Sequence, residues 1–167
     1  MPDLFLSWSD YHRTIESLIA EIHRSKWEFD HIVCIARGGV RVGDIVARVY
    51  RKPLAIVLAQ HGEGDTPQLS RQIAALHDLK GAILLVDDVA VSGATLATVK
   101  SALRERHPAI TEIRSAVLWQ QGTCSAAPDY RAALLANNPR IHPPYEPYDL
   151  SSLQGLVERS PDGDKTG

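Results

Sequence analysis

Apolar and polar positions along this chain follow two rhythms. From Ser7 to Arg24, Ile15, Leu18, Ile19 and Ile22 recur at three- and four-residue steps, the period of a helix with one buried stripe. Ser7 or Ser9 suits its N-cap, and Trp8 reads as a packing anchor near its start. Unbroken apolar runs then predict buried strands: His31 to Ala36, Leu54 to Ala59, Ala82 to Val86 and Ile113 to Trp119, with a weaker fifth over Tyr130 to Leu135. Between them, Val40 to Tyr50 and Thr95 to His107 carry helical spacing, the first broken by Pro53 and the second by Pro108.

Strands buried on both sides and alternating with helices predict an α/β fold. Its sheet is parallel and Rossmann-like, with helices on both faces. Gln60 to Arg71 is polar and contains two glycines, which predicts a mobile loop or a β-excursion. Four prolines make Asn138 to Leu150 an extended, stiff segment, and the polar residues 159–167 read as a disordered tail. No repeat or linker divides the chain, so residues 1–158 are expected to form one domain.

Composition adds exclusions. At 167 residues, 44% hydrophobic and 23% charged, this is an ordinary globular composition. The formal net charge of -2 gives no overall pull toward nucleic acid or a membrane surface. No apolar run approaches the roughly 20 residues of a membrane helix, and MPDLFLSWSD has no basic leader, so a cytoplasmic location is expected. Only Cys34 and Cys124 are present, too sparse for a disulfide scaffold. Cys34 falls in an apolar run and reads as core; Cys124 falls in a polar stretch and reads as a surface thiol. His61, His77 and His107 lack metal-ligand spacing.

Chemistry concentrates in ILLVDDVAVSGATL, Ile83 to Leu96. A buried strand there ends in two adjacent carboxylates, and a carboxylate is costly inside an apolar core. Asp87 and Asp88 are therefore expected past the strand end, facing a cleft, where ligands of open α/β sheets sit. Adjacent acids suit vicinal hydroxyls, or a hydrated Mg²⁺ shared with substrate phosphate. The following Val91-Ser92-Gly93-Ala94-Thr95 opens a helix, and its backbone amides and hydroxyls suit an anion. Together these elements describe a ribose 5-phosphate site. A Walker-type loop is excluded because no Gly-Lys-Ser/Thr occurs.

VDDVAVSGAT resembles the phosphoribosyl-pyrophosphate (PRPP) signature of type I phosphoribosyltransferases, and IARGG, Ile35 to Gly39, resembles the pyrophosphate loop of their xanthine/guanine branch. Weaker likeness extends from about Phe5 to Leu150, through Pro128 to Tyr130 and Pro144 to Glu146. The resemblance implies that Asp87 and Asp88 bind the ribose hydroxyls and that Asp88 also holds Mg²⁺. Val91 to Thr95 would grip the 5′-phosphate. Ala36, Arg37, Gly38 and Gly39 would hold pyrophosphate, with Arg37 offsetting its charge and a cis peptide between Ala36 and Arg37. It implies a core over about 28–136 and a small hood, from about 1–8 and 137–150, over the nucleobase. PRPP and a nucleobase, a purine first, would be the partners, in a homodimer or homotetramer.

The sequence departs from that branch in the base subsite. Val91 stands where an acid near purine N7 is usual, Gln121 or Gln120 where a Lys contacts the exocyclic oxygen, and Arg140 where an aromatic stacks. A guanidinium stacks on a flat ring and Gln donates to a carbonyl, while the backbone carbonyl of Ile141 would read the base edge. A purine transferase, a transferase for another acceptor and a non-catalytic PRPP sensor all remain compatible with this pattern. Ser70 and Arg71 of the polar loop are further candidates for pyrophosphate contact. Glu63 or Asp65 would be acids able to replace the one missing at Val91.

Overall fold

The computed structural model describes residues 3–61, 67–69 and 79–158; the tail and the candidates Glu63, Asp65, Ser70 and Arg71 lie outside the described residues. Thirteen elements follow in order: β1 (Asp3–Phe5), α1 (Trp8–Arg24), β2 (His31–Ala36), α2 (Gly38–Tyr50), β3 (Leu54–His61), β4 (Pro67–Leu69), β5 (Gly81–Ala90), α3 (Ala94–Arg106), β6 (Ile110–Gln121), β7 (Tyr130–Leu135), β8 (Arg140–His142), α4 (Glu146–Leu150) and α5 (Leu153–Glu158).

Six strands make the main sheet, in the order β4-β3-β2-β5-β6-β7. All neighbours are parallel except the edge strand β4, which pairs antiparallel with β3 through Ala59↔Leu69 and Gln60↔Gln68. At its described ends, then, the polar stretch after Ala59 is a β-excursion.

Strand alternation decides the layers. Ile32, Cys34, Leu84, Val86, Ala116 and Leu118 point to one face, against Tyr11, Ile15, Leu18 and Ile22 of α1 and Val42 and Val46 of α2. Val33, Ile35, Ile83, Leu85 and Val117 point to the other, against Leu96, Val99 and Leu103 of α3. Helices thus cover both faces. Ser7 caps α1: its Oγ accepts from the Asp10 amide at 3.1 Å, and Asp10 accepts in return from the Ser7 amide.

Several boundaries differ from the sequence expectation. β5 and β6 run beyond Val86 and Trp119, because each gains a partner that the local pattern does not show. Trp8 is 43% exposed and touches Tyr11 and His12 at the surface, so Tyr11, not Trp8, anchors the start of α1. Cys34 is core, as expected; Cys124 is half-buried, its thiol donating to the Ala126 carbonyl at 3.3 Å. Asn138 to Leu150 is not extended throughout. β8 pairs in parallel with β1, Asp3↔Arg140 to Phe5↔His142, and α4 follows. The first strand and the last therefore meet in a separate two-stranded sheet.

Candidate functional site

The first strand of the main sheet, β2, is followed by β3 on one side and by β5 on the other, so strand order reverses between β2 and β5. At such a switch point the strand ends diverge and leave a crevice. Here pairing of β2 with β5 stops at Cys34↔Val86, whereas β5 stays paired with β6 as far as Ala90↔Gln120. Asp87 and Asp88 therefore lie within β5, not beyond its end, on the stretch that has lost β2. The expected placement past the strand is corrected, and the crevice is kept.

Although consecutive on a strand, the two side chains line different cavities, while their carboxyl groups stay close enough to interact. Asp87 lines a cavity of about 440 Å³ on the α3 side, together with Val91, Ser92, Gly93, Ala94 and Thr95. Asp88 lines one of about 250 Å³ on the α2 side, with Arg37, Gly38, Arg41, Tyr145 and Asp149. Ala36 belongs to the first cavity, so the loop after β2 reaches both. The two cavities are lined by consecutive residues, whose Cα atoms stand about 3.8 Å apart.

Close backbone approach explains the glycines after β2. A Cβ on Gly38 would fall on the Asp88 carboxylate, and one on Gly39 would sit 2.5 Å from the Val86 carbonyl oxygen and 2.9 Å from Asp87 Cα. The Ala36–Arg37 peptide is cis, and the Arg37 side chain is exposed. On the other side of β5, Val91 to Gly93 bend sharply and Gly93 takes φ 83°, with no room for a Cβ against Ala126. The Ser92 carbonyl accepts from the Ala126 amide at 3.2 Å and from Ser125 Oγ at 3.3 Å, which pins the loop to the chain after β6. Gly93 supplies no side-chain cap to α3, and no acid lies in its first turn. The amides of that turn thus favour an anion.

Charge is managed unevenly between the two acids. Burial, with the neighbouring Asp88 carboxylate, pushes the Asp87 carboxyl well above the usual range, although the Asp88 amide donates to it at 2.9 Å. Asp88 instead accepts from the Tyr145 hydroxyl at 2.7 Å, and the Arg41 guanidinium lies 4.0 Å from the Tyr145 ring centroid. Burial and then Asp88 hold the Tyr145 hydroxyl protonated. The Tyr11 hydroxyl, also raised by burial and Asp88, is buried and has no hydrogen-bond partner among the described residues. Arg41, Tyr145 and Asp149 are absent from the sequence-derived site. Their signal, an Arg one helical turn after Arg37 and a Tyr in the proline-rich segment, has no motif to mark it.

The acceptor candidates are scattered by comparison. Val91 is 54% exposed on the rim of the larger cavity. Gln121, at the end of β6, donates to the Pro139 carbonyl at 3.4 Å. Arg140 faces solvent and pairs with Glu146 at 3.4 Å, and Ile141 is half-buried opposite Leu4 in the small sheet. None of the last three lines either cavity.

Among the described residues no three His, Cys, Asp or Glu side chains converge as a metal cage. Asp88 and Asp149 share the smaller cavity, a donor set that fits a hydrated Mg²⁺ completed by phosphate oxygens. Also among them, no helix is long and apolar enough to cross a membrane.

The sheet switch point thus carries an amide-lined loop on one flank and two arginines on the other, both suited to anions. A family model, the phosphoribosyl transferase domain, matches residues 7–148, and the chain belongs to that family. The purine phosphoribosyltransferase of Pyrococcus horikoshii is similar in structure, with a TM-score of 0.74 and 27% identity over 87% of this chain and 95% of that one. The xanthine-guanine-hypoxanthine phosphoribosyltransferase of Helicobacter pylori shares the fold, with a TM-score of 0.76 and 20% identity over 91% and 98%. In sequence, the chain is 29% identical over 115 residues to the transcriptional regulator GfcR of Methanocaldococcus jannaschii. That match covers 62% of this chain and 54% of the relative, so the chain spans about half the length of that protein.

Proposed function

We propose that this protein transfers the 5-phosphoribosyl group of PRPP to a nucleobase nitrogen and releases pyrophosphate, with a purine as the favoured acceptor. The observation that carries this reading is the pair of cavities lined by the adjacent Asp87 and Asp88. PRPP is a pentose with a monophosphate at one end and a pyrophosphate at the other. Its monophosphate suits the amides and hydroxyls of Ser92 to Thr95, its diol the two carboxylates, and its pyrophosphate Arg37 and Arg41.

In the reaction the base nitrogen bonds to C1′ while the bond from C1′ to the pyrophosphate oxygen breaks, and the electron pair leaves with pyrophosphate. Positive charge grows on the sugar ring, which the carboxylates stabilise from fixed positions. Arg37 and Arg41 offset charge on the leaving group, and the crevice holds the sugar in line between its two anionic ends. Asp88 would hold Mg²⁺ together with phosphate oxygens, and the ion would supply further charge neutralisation. Val91 offers no acceptor for the proton shed by the base, so that proton passes to solvent or to another group. Self-association as a homodimer or homotetramer, and a cytoplasmic location, belong to the same reading.

A second reading is supported by the acceptor side. Gln121 and Arg140 are engaged within the protein, and the relative from Methanocaldococcus jannaschii bears the name of a regulator. A PRPP sensor needs the crevice but no base subsite. Incubation with PRPP, Mg²⁺ and a panel of bases separates the two. Base-dependent pyrophosphate release supports the transferase, and saturable PRPP binding without turnover on any base supports the sensor. Absence of PRPP binding would sink both.

A further inference from the structure

The sheet has a second end. Where β2 and β3 begin, the last turn of α1, the chain entering β2 and the end of α2 enclose a cavity of about 700 Å³. It is larger than either half of the crevice and lies the length of β2 away from it, roughly 20 Å at the usual rise per residue. Its floor is aromatic, formed by Trp27, Phe29 and Tyr50. Its charged lining holds three permanent cations, Arg24, Lys26 and Lys52, against one carboxylate, Glu28. That is a positive pocket on a chain whose net charge is -2.

The floor is fixed in place. Trp27 Nε1 donates to Glu112 at 2.8 Å, and the Arg114 guanidinium lies 4.6 Å from the centre of the indole. Tyr50 donates its hydroxyl to the Ile19 carbonyl at 3.3 Å. The cations are held differently. Arg24 pairs with Glu21, but among the described residues neither Lys26 nor Lys52 has an ion-pair partner. Lys26 also takes φ 54°, a left-handed conformation in which glycine is the usual residue at a helix end. Cations beside helix C-termini complement the helix dipole. That role requires neither a concavity nor three aromatic rings beneath it.

We infer that this cavity is a second ligand site, built for a nucleotide. A flat base rests on the Trp27 and Tyr50 floor, and a phosphate or diphosphate lies between Lys26 and Lys52. The volume lies within the range of small-molecule sites, which are largely apolar with a few placed polar groups. An aromatic surface beside unpaired cations recognises a ring joined to an anion, and each part alone binds weakly.

Fluorescence titration of the full chain with ADP and GDP tests this, because Trp27 reports the floor. Saturable quenching is expected, with adenosine and pyrophosphate each weaker by at least about tenfold. The Lys26→Glu/Lys52→Glu variant should lose at least about tenfold in nucleotide affinity, and the Lys→Gln pair should lose less in the same direction. Trp27→Phe should remove the quenching while equilibrium dialysis still detects the ligand. Asp88→Asn should leave nucleotide affinity within about twofold, because its crevice is separate. Two outcomes overturn the inference. One is the absence of saturable binding by either method. The other is nucleotide binding that Asp88→Asn abolishes and the lysine variants leave unchanged, which would assign it to the crevice.

Discussion

The two sides of the crevice are built to different standards. On the proposed phosphoribosyl side, Arg37, Asp87, Asp88 and the Ser92 to Thr95 stretch come from β5, the loop after it and the starts of α2 and α3, where a Cβ on Gly38, Gly39 or Gly93 would press on neighbouring atoms. On the acceptor side, Val91 stands exposed, and Gln121 and Arg140 turn to partners within the protein. In the proposed function, this preorganised half beside a loosely specified one would make sugar-phosphate recognition a property of the main sheet. The acceptor candidates are spread over the loop after β5, the end of β6 and β8.

The largest effect should come from Asp88→Asn. It removes the charge that faces the diol and the cation, and catalysis or PRPP affinity should fall by about 10²–10³. Calorimetric PRPP titration beside pyrophosphate release checks this, and unchanged PRPP affinity would break the contrast between the two sides.

Next come the glycines, which should separate fold from function. Gly39→Ala presses a methyl group on the backbone of β5 and should destabilise the protein by about 1–3 kcal/mol. Gly38→Ala places its methyl group against the Asp88 carboxylate, which supplies its three nearest atoms. It should leave the melting temperature near that of the wild type and weaken PRPP binding by about tenfold or more. Thermal melts and PRPP titration on both variants distinguish the two outcomes.

Val91→Asp sharpens the comparison from the other side. It restores an acid on the rim and should raise turnover with 6-oxopurines by about tenfold or more, within the usual range for general acid–base help. PRPP affinity should stay constant. No gain with any base would favour the sensor.

Tyr145→Phe should act more mildly. Loss of one hydrogen bond to a carboxylate is worth about 1.5–3 kcal/mol, and in the proposed complex the PRPP diol would take its place, so PRPP affinity should change by less than about tenfold. The smallest effect concerns the chain ends. Glu146 and then Asp3 raise the His142 pKa above its ordinary value, through contacts of 2.6 and 3.2 Å. The protonated form is therefore favoured in the folded state. Its stabilisation is complete below the unfolded-state pKa and is lost as pH rises through the folded-state pKa. Melting temperature should decline slightly from pH 6 to pH 8, and His142→Gln should flatten that slope.

Much of this was legible locally. β2 and β7 are bounded as their apolar runs imply, and the α1 stripe buries Ile15, Leu18 and Ile22. Asp87, Asp88 and the loop to Thr95 line cavities at the sheet switch point, in the order the sequence presents them. Less legible were partners distant along the chain. Tyr145 reaches Asp88 across 57 positions, and β1 finds β8 from opposite ends. Neither short strand carries a periodic signal of its own.

From the sequence alone followed the alternation of buried strands and helices and the nature of the sugar-phosphate motif. Burial and backbone conformation are written into neighbouring residues, so both could be read locally. The tertiary structure decided that Asp87 and Asp88 serve two cavities and not one, and that Arg41, Tyr145 and Asp149 complete the second. It also set an aromatic, cationic pocket at the far end of the sheet. Those outcomes depend on where strand pairing stops and which distant segments pack there, and only the folded chain fixes either.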